Sequence, residues 1–465
     1  MTIMEDLVLY KRRWVFVLGL FAMLFFSGIS FSSYGQVSSF YVQFFRVSHL
    51  EVDWITNARN TSPIIITFPL AWLIFKGKIG LRNMILIVAG SSTLGLFFVL
   101  LSLTHHSLFP LIITGQILCG LSEVVGVAIP STFAALWFRE SQVGTAILLI
   151  MLGFTLGDAV GYILPAALVS PLNDTVQQEQ NLTLSDISMG QRHLQYMYGI
   201  FLTISAAVTI LFAIFVTDKP PTPPTHAQNL KEKGIQVVDK SRNFVQLTKL
   251  LFSNVSYIFI CIDIGLAFQL VILENMMMAE IIRNANLSIN ATPEKLSGYM
   301  MSLFSLAGVP GLIIGGKIVD HYKKYKILGI LGNFAMFLST ALIAVSVLYK
   351  NTPGIFVGNA LFGFSVGAIE VVLMEIATQL TYPIDETLVN TWMTGIQTLV
   401  GFLLGIFGRF IYKSYKSIGL LSFQCACAFM GLVLVCLISS KNRRLEVEPD
   451  DNNDPSDRTP LIDHK

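Results

Sequence analysis

Stretches of about 20 apolar residues, each long enough to cross ~30 Å of hydrocarbon as a helix, recur along the whole of this 465-residue chain. Twelve can be drawn, near 14–36, 53–75, 83–104, 109–136, 143–169, 196–216, 252–278, 297–318, 327–348, 354–380, 388–412 and 418–439. A soluble multidomain enzyme is excluded by that pattern. Composition agrees, with 53% of residues hydrophobic and only 13% charged, where soluble domains carry about a quarter charged residues. The expected fold is an all-α membrane protein of twelve transmembrane helices. A net charge of +2 offers no bulk attraction for nucleic acid. Cys119, Cys261, Cys425, Cys427 and Cys436 all fall inside apolar runs, without the spacing of a disulfide framework or a zinc site. Neither metal nor cofactor is expected. No nucleophile with a nearby base and no nucleotide motif occurs, and His105-His106 reads as a solvated loop pair.

Lys11, Arg12 and Arg13 precede the first segment, which lacks a small-residue cleavage site and so reads as a retained helix with a cytosolic N-terminus. Twelve crossings from that start place 22 Lys and Arg on the cytosolic side and 8 outside, with Arg59 inside the second segment. This is the bias of the positive-inside rule. Acceptor patterns for N-glycosylation at Asn173, Asn181, Asn286 and Asn290 fall in loops that this topology puts outside. Residues 217–250 open with Thr217-Asp218-Lys219-Pro220-Pro221 and hold six Lys or Arg. They read as a cytosolic linker, because proline stops helical continuation and water solvates the freed backbone. An N-terminal six-helix half is then expected at 1–216, a C-terminal six-helix half at 251–440, and a disordered cytosolic tail at 441–465. Two six-helix halves are the arrangement of a pseudo-symmetric carrier that rocks about a midplane site.

The loop Gly316-Lys317-Ile318-Val319-Asp320, followed by Lys323, Lys324 and Lys326, has a counterpart at Lys76, Lys78, Gly80 and Arg82 between the second and third segments. Such loops resemble the signature of the major facilitator superfamily, in which the Asp caps a helix end and ion-pairs the facing half. Over about 400 residues, Val52-Asp53-Trp54, Pro69-Leu70-Ala71-Trp72, Gly115-Gln116 with Cys119, Trp137-Phe138, Leu164-Pro165, Lys219 to Pro224, Asp320 with Lys326, and Glu375 before Thr381-Tyr382-Pro383 resemble the feline leukaemia virus subgroup C receptor-related transporter family. The resemblance implies a secondary-active carrier of a small organic solute, an amine or cation such as choline or ethanolamine being the leading class. Haem and a pyridoxine-like vitamin are alternatives the same family implies. A receptor or sensor that keeps the fold without net flux is the other class the sequence leaves open.

The departures from the family bear on substrate. Where choline-type members place a Trp in the first helix, a Gln in the fifth and a Tyr in the seventh, this chain has Phe31, Thr155 and Gln269. Trp is the strongest aromatic partner of a quaternary ammonium, so Phe31 makes a poorer cage. Gln397 matches a family glutamine, and Asp158 stands where the family has a small neutral residue. These five are the expected lining of a substrate cavity. Ionisable groups in hydrocarbon persist mainly when they face a polar cavity or a partner, which marks Glu123, Asp263, Glu274 and Glu370 as candidates for proton or cation coupling. With no deep Lys to balance them unless Arg59 turns inward, a negative cavity is expected. Asp320, Lys326 and Glu375 are conformational-gating candidates through the resemblance. Trp54, Trp72 and Trp137 read as interfacial anchors. Asp457, Leu461 and Ile462 fit an acidic dileucine-type pattern read by clathrin adaptors, which puts an endolysosomal membrane slightly ahead of the plasma membrane. The protein is expected to be monomeric, with the bilayer, a small-molecule substrate and such an adaptor as partners.

Overall fold

A computed structural model describes residues 10–169, 184–220, 243–287, 291–322, 325–381, 384 and 386–438. Among these residues every regular element is helical. Helix α1 (Arg13–Ser32) breaks at Ser33 and Tyr34, passes through a 3₁₀ turn (Gly35–Val37) and resumes as α2 (Ser38–Phe45). There follow α3 (His49–Phe75), α4 (Leu81–Ser102), α5 (Phe109–Trp137), α6 (Glu140–Val169), α7 (Leu184–Phe215), α8 (Phe244–Ser253), α9 (Val255–Asn284), α10 (Pro293–Tyr322), α11 (Tyr325–Leu348), α12 (Thr352–Thr381) and α13 (Glu386–Leu437). Lys416, at φ 56° and ψ −152°, folds α13 into two arms, 386–415 and 417–437. Ten helical stretches among the described residues are long and apolar enough to cross a membrane. The bent α13 is one of them. Helix α3 is not, because it carries Asp53, Asn57, Arg59 and Asn60, all turned into the protein. Ten stretches, a doubled α13 and α3 are consistent with twelve passages.

The packing repeats between the halves. Helix α1 lies along α6 as α9 lies along the first arm of α13; α3 packs on α5 as α10 packs on α12; α4 touches α5 and α7 as α11 touches α12 and the second arm of α13. Two seams join the halves, α6 on α10 and α3 on α13, and these too exchange under the pseudo-twofold. Close approach at equivalent places depends on glycine. A Cβ on Gly120 of α5 would overlap the Arg59 carbonyl of α3, and one on Gly363 of α12 would overlap the Phe304 carbonyl of α10. Small residues at such crossings are how membrane helices gain packing without a hydrophobic driving force. Outside, Val15, Leu18, Ile65, Ile214, Leu331 and Leu403 are exposed on the perimeter, as a lipid-facing surface requires.

Two expectations change. Trp137 is no interfacial anchor: it is buried, its ring edge-on to Phe16 at 5.2 Å and covered by the Arg12 guanidinium at 5.3 Å. The reason is that α1 crosses α5 at that level. Trp54 and Trp72 do keep exposed faces. Helix α8 occupies the end of the stretch expected as linker, seating Phe244 against Phe68, Phe75 and Trp392; an Asn243 and Gln246 capping box starts it. Asn173, Asn181, Asn290, Asp457, Leu461 and Ile462 lie outside the described residues, as does the tail from 439 onward. Asn286 is described, in a turn at φ 48°.

Overpacking the α10–α12 crossing should therefore destabilise the fold. Gly363→Val is expected to cost at least about 1–3 kcal/mol, lowering the melting temperature of the detergent-purified protein. Gly90→Ala, where a Cβ meets nothing within 4 Å, is expected to leave melting unchanged or slightly raised. Equal melting of Gly363→Val and the wild type would contradict the close crossing.

Candidate functional site

The break in α1 sets the middle of the molecule. Helix α1 stops where Ser32 and Ser33 turn their hydroxyls onto backbone carbonyls, Ser33 onto Ile29 and Ser32 onto Asp158 at 2.9 Å. The chain then turns under α9 so closely that a Cβ on Gly35 would overlap the Asn275 carbonyl. Asn275 replies by donating its side-chain amide to the Phe31 carbonyl at 3.4 Å. First and second halves thus meet at α1 and α9, and α6 and α10 close in beside them.

Asp158 of α6 sits in that seam, 6% exposed. Ser305 of α10 donates to its Oδ2 at 2.7 Å, a bond between halves, while its Oδ1 is buried without a partner. One turn on, Tyr162 has both Asp158 and Glu274 of α9 as electrostatic neighbours. Glu274 is buried, and its Oε2 has no hydrogen-bond partner. Phe31 lies 5.9 Å from the Phe154 ring, and Thr155, partly buried, precedes Asp158 by one turn. Phe31, Thr155 and Asp158 therefore share one side of the seam, with Glu274 and Ser305 across it. Gln269 is fully buried on α9 with neither end of its amide satisfied. Gln397 is half-buried one turn before Val400 and Gly401, which pack on Gly265 and Phe268 of α9. No hydrogen bond among the described residues joins either glutamine to Asp158.

Arg59 alters the charge balance expected from sequence. Its side chain is 1% exposed and turns inward. Nε donates to Glu123 at 2.8 Å and Nη2 donates to the Ser27 hydroxyl at 2.8 Å, while the guanidinium lies 5.5 Å from the centre of the Phe31 ring. Glu123 is thus neutralised by a resident cation, and the Phe31 face already carries one. The remaining acids separate. Asp263 is enclosed within the second half, accepting from Asn333 of α11 at 3.0 Å. Glu370 makes no hydrogen bond or ion pair among the described residues. Glu375 accepts from Gln379 of its own helix at 2.8 Å, and no ion pair among the described residues joins it to Lys326. The side chain of Asp320 lies outside the described set.

A second cluster, at the end that the charge count assigns to the outside, was not singled out from sequence. Arg409 of α13 holds two carboxylates at once, Asp53 of α3 from the other half, with Nη2 to Oδ1 at 2.6 Å, and Glu280 of α9, with Nη1 to Oε2 at 2.8 Å. Such forked pairs are the strong form of charge-assisted hydrogen bond. His49 adds its Nδ1 3.4 Å from Glu280. Nearby, Arg283 pairs with Glu294, and both bond to Ser39 of α2, at 2.8 Å and 3.2 Å. Both clusters tie first half to second. The motif Val52-Asp53-Trp54 flagged one partner, but the other lies 356 residues away.

Two outcomes follow. Arg409→Gln leaves two facing buried carboxylates, and loss of one partner in such a pair costs about 2–5 kcal/mol. A membrane-impermeant thiol reagent is expected to label Ser39→Cys several-fold faster in that background; an unchanged rate would show that the cluster does not hold this end shut. Arg59→Met is expected to destabilise by about 3–5 kcal/mol, since it strands Glu123, and Arg59→Met with Glu123→Leu should recover most of that loss in thermal melting.

The sequence profile of the Major Facilitator Superfamily matches residues 20–405. The "Choline/ethanolamine transporter FLVCR2" of Homo sapiens is 26% identical over 447 residues, 95% of this chain and 80% of that protein. The "Uncharacterized MFS-type transporter C09D4.1" of Caenorhabditis elegans is 24% identical over 454 residues, 97% of this chain and 73% of that protein. Among solved structures, a bacterial homologue of the human lysosomal transporter Spinster, inward-facing and occupied, superposes with a TM-score of 0.64 at 11% identity, covering 92% of this chain and 96% of that one. A D-xylose-proton symporter gives 0.63 at 14% identity, covering 92% and 97%. The superpositions agree with the helical fold of two repeated halves, and the chain, similar along most of its length to the feline leukaemia virus subgroup C receptor-related carriers, belongs to the major facilitator superfamily of membrane transporters.

Proposed function

We propose that the protein carries a small organic amine by alternating access, with ethanolamine-like primary amines preferred to quaternary ones. The observation that carries this is Asp158: one oxygen is held by Ser305 across the seam, the other is buried beside the Ser32 and Tyr162 hydroxyls without a hydrogen bond of normal geometry, and Glu274 stands beside the same tyrosine. A buried carboxylate with an open acceptor site suits an N–H donor. A quaternary ammonium has no N–H to give and relies on aromatic faces. Here Phe31 replaces the family's Trp, and its face is shared with the Arg59 guanidinium. The relatives named choline/ethanolamine transporters supply the class, and the site chemistry supports the primary amine within it. Thr155, Gln269 and Gln397 complete the proposed lining. The two halves would rock about it, with Arg409 and its carboxylates closing the outer end and Glu375, Asp320 and Lys326 acting at the other.

The tail pattern Asp457, Leu461 and Ile462 supports delivery to an endolysosomal membrane through a clathrin adaptor, and Asn286 supports glycosylation in an outer loop. A monomer, with halves at 1–216 and 251–440 joined by a cytosolic linker, fits this reading.

Uptake of labelled ethanolamine and choline into proteoliposomes tests it. Wild-type protein is expected to accumulate ethanolamine with saturation and to prefer it to choline. Asp158→Asn is expected to raise the half-saturating concentration at least tenfold, about 1.4 kcal/mol. Normal ethanolamine uptake by Asp158→Asn, or binding without time-dependent accumulation by the wild type, would overturn the proposal.

A further inference from the structure

Asp263 belongs to neither cluster described above. It lies on α9, fully buried, facing α11 and the second arm of α13. Asn333 of α11 donates its amide to Asp263 Oδ2 at 3.0 Å, and to the Gly329 carbonyl at 3.2 Å. That leaves two oxygens, Asp263 Oδ1 and Asn333 Oδ1, each fully buried and each without a partner. Both face the same point. A Cβ on Gly431 would overlap Asp263 Oδ1 and stand 3.0 Å from Asn333 Oδ1, so the glycine is what lets α13 approach the pair.

Two facing acceptors with nothing between them repel, and a buried oxygen left without a donor is destabilising, more so if charged. Among the described residues, no cation pairs with Asp263. The second arm, 417–437, contains no Asp, Glu, Lys, Arg or His, and α11 has only Lys326, in its first turn. Tyr325 also lies on α11; helix α12 carries Glu370 and Glu375; α9 itself carries Tyr257, Glu274, Glu280 and Arg283; the first arm of α13 carries Glu386, Arg409, Tyr412, Lys413 and Tyr415. The thiols on these helices are Cys261, Cys425, Cys427 and Cys436. Among the described residues, the side-chain hydrogen bond to Asp263 comes from Asn333. Two side-chain oxygens are also too few to replace the water shell of a metal cation.

A single proton removes the conflict. We infer that Asp263 is a proton-binding site of the carrier: its neutral carboxyl donates from Oδ1 to Asn333 Oδ1 while Asn333 donates back to Oδ2, a closed ring of two hydrogen bonds fastening α9 to α11. When the proton leaves, the ring becomes one bond and one repulsion, and an ionised carboxylate is left in a low-dielectric core. Release therefore belongs to a conformation in which the second arm of α13 draws Gly431 away from Asp263 and water reaches the carboxyl. The proton is bound away from the Asp158 seam, and the helix that carries it, α9, also carries Glu274 and Glu280. Protonation of the second half is thereby linked to both the substrate region and the outer closure. This goes beyond the substrate reading and holds whichever solute is carried.

Difference infrared spectra of the full chain in nanodiscs, from mildly acid to mildly alkaline pH, decide whether the proton is there. The expected wild-type spectrum has the carbonyl band of a protonated carboxylic acid at neutral pH, and Asp263→Asn, which preserves the ring as an amide pair and so the fold, loses that band. Asn333→Leu is expected to keep the band but shift it towards that of an acid without a hydrogen-bond partner. If the spectra of wild type and Asp263→Asn coincide in this region at every pH, Asp263 is ionised and the inference fails. Ethanolamine uptake under an imposed pH gradient reads the linkage: a wild-type rate that follows the gradient and an Asp263→Asn rate that does not are expected, and equal responses of the two overturn it. A protein that carries no amine at all sinks the proposed function while leaving the infrared result standing.

Discussion

A charged side chain that enters hydrocarbon must bring its partner with it, because the bilayer core supplies neither water nor counter-ion. The deep acids that have partners meet that demand differently, and the differences sort them by role. Glu123 is answered by Arg59 from the neighbouring helix of the same half. Asp53 and Glu280 share Arg409 across the halves. Asp263 is answered only by an amide. Asp158 is answered by a single hydroxyl from the opposite half and keeps one oxygen open. Satisfaction decreases along that series, and room for a mobile ligand or proton increases.

Much of the fold was legible because its determinants are local. The apolar spans and the Pro-rich break after Val216 can be counted along the chain, and the bilayer admits few solutions to such a count. The second span was read as a crossing despite Asp53, Asn57 and Arg59, and its low hydropathy has a tertiary cause: Asp53 and Arg59 pair inward and Asn57 is buried beside them. What stayed hidden depends on contacts remote in sequence. Whether Arg59 reaches inward is set by the position of Glu123, 64 residues on. Trp137 resembles an interfacial tryptophan in composition and becomes a core residue only because α1 crosses it. The expected negative cavity changes at one acid, Glu123, for the same reason: a tally of acids and bases does not say which acid faces which base. Phe31, Thr155 and Asp158, placed by motif, do share one side of the seam, whereas Gln269 and Gln397 are held on the second half without a bond to them.

The repeated packing gives the seams their mechanical meaning. Under the pseudo-twofold, α6 on α10 exchanges with α3 on α13, so a rotation that parts one end of both seams must compress the other. Asp158 and Ser305 span the first seam near its middle, and Asp53 and Arg409 span the second at its outer end. A ligand drawn to Asp158 acts close to the pivot, where it can remain bound while either end opens. The outer cluster acts far from the pivot, where opening separates its charges most.

That separation has to be affordable. Driving a two-state equilibrium from 1:99 to 99:1 takes about 5.5 kcal/mol of differential affinity, so an outer closure worth far more than that could not be reversed by a small solute. The arrangement at Arg409 meets this limit. One guanidinium serves two carboxylates, which repel each other, and His49 beside Glu280 is nearly half exposed, so opening returns much of the charge to water and recovers hydration. Breaking the cluster by rotation therefore costs less than removing one partner by mutation, where the remaining charges stay buried. The closure is strong as geometry and modest as free energy, as a carrier that must pass repeatedly through both states requires.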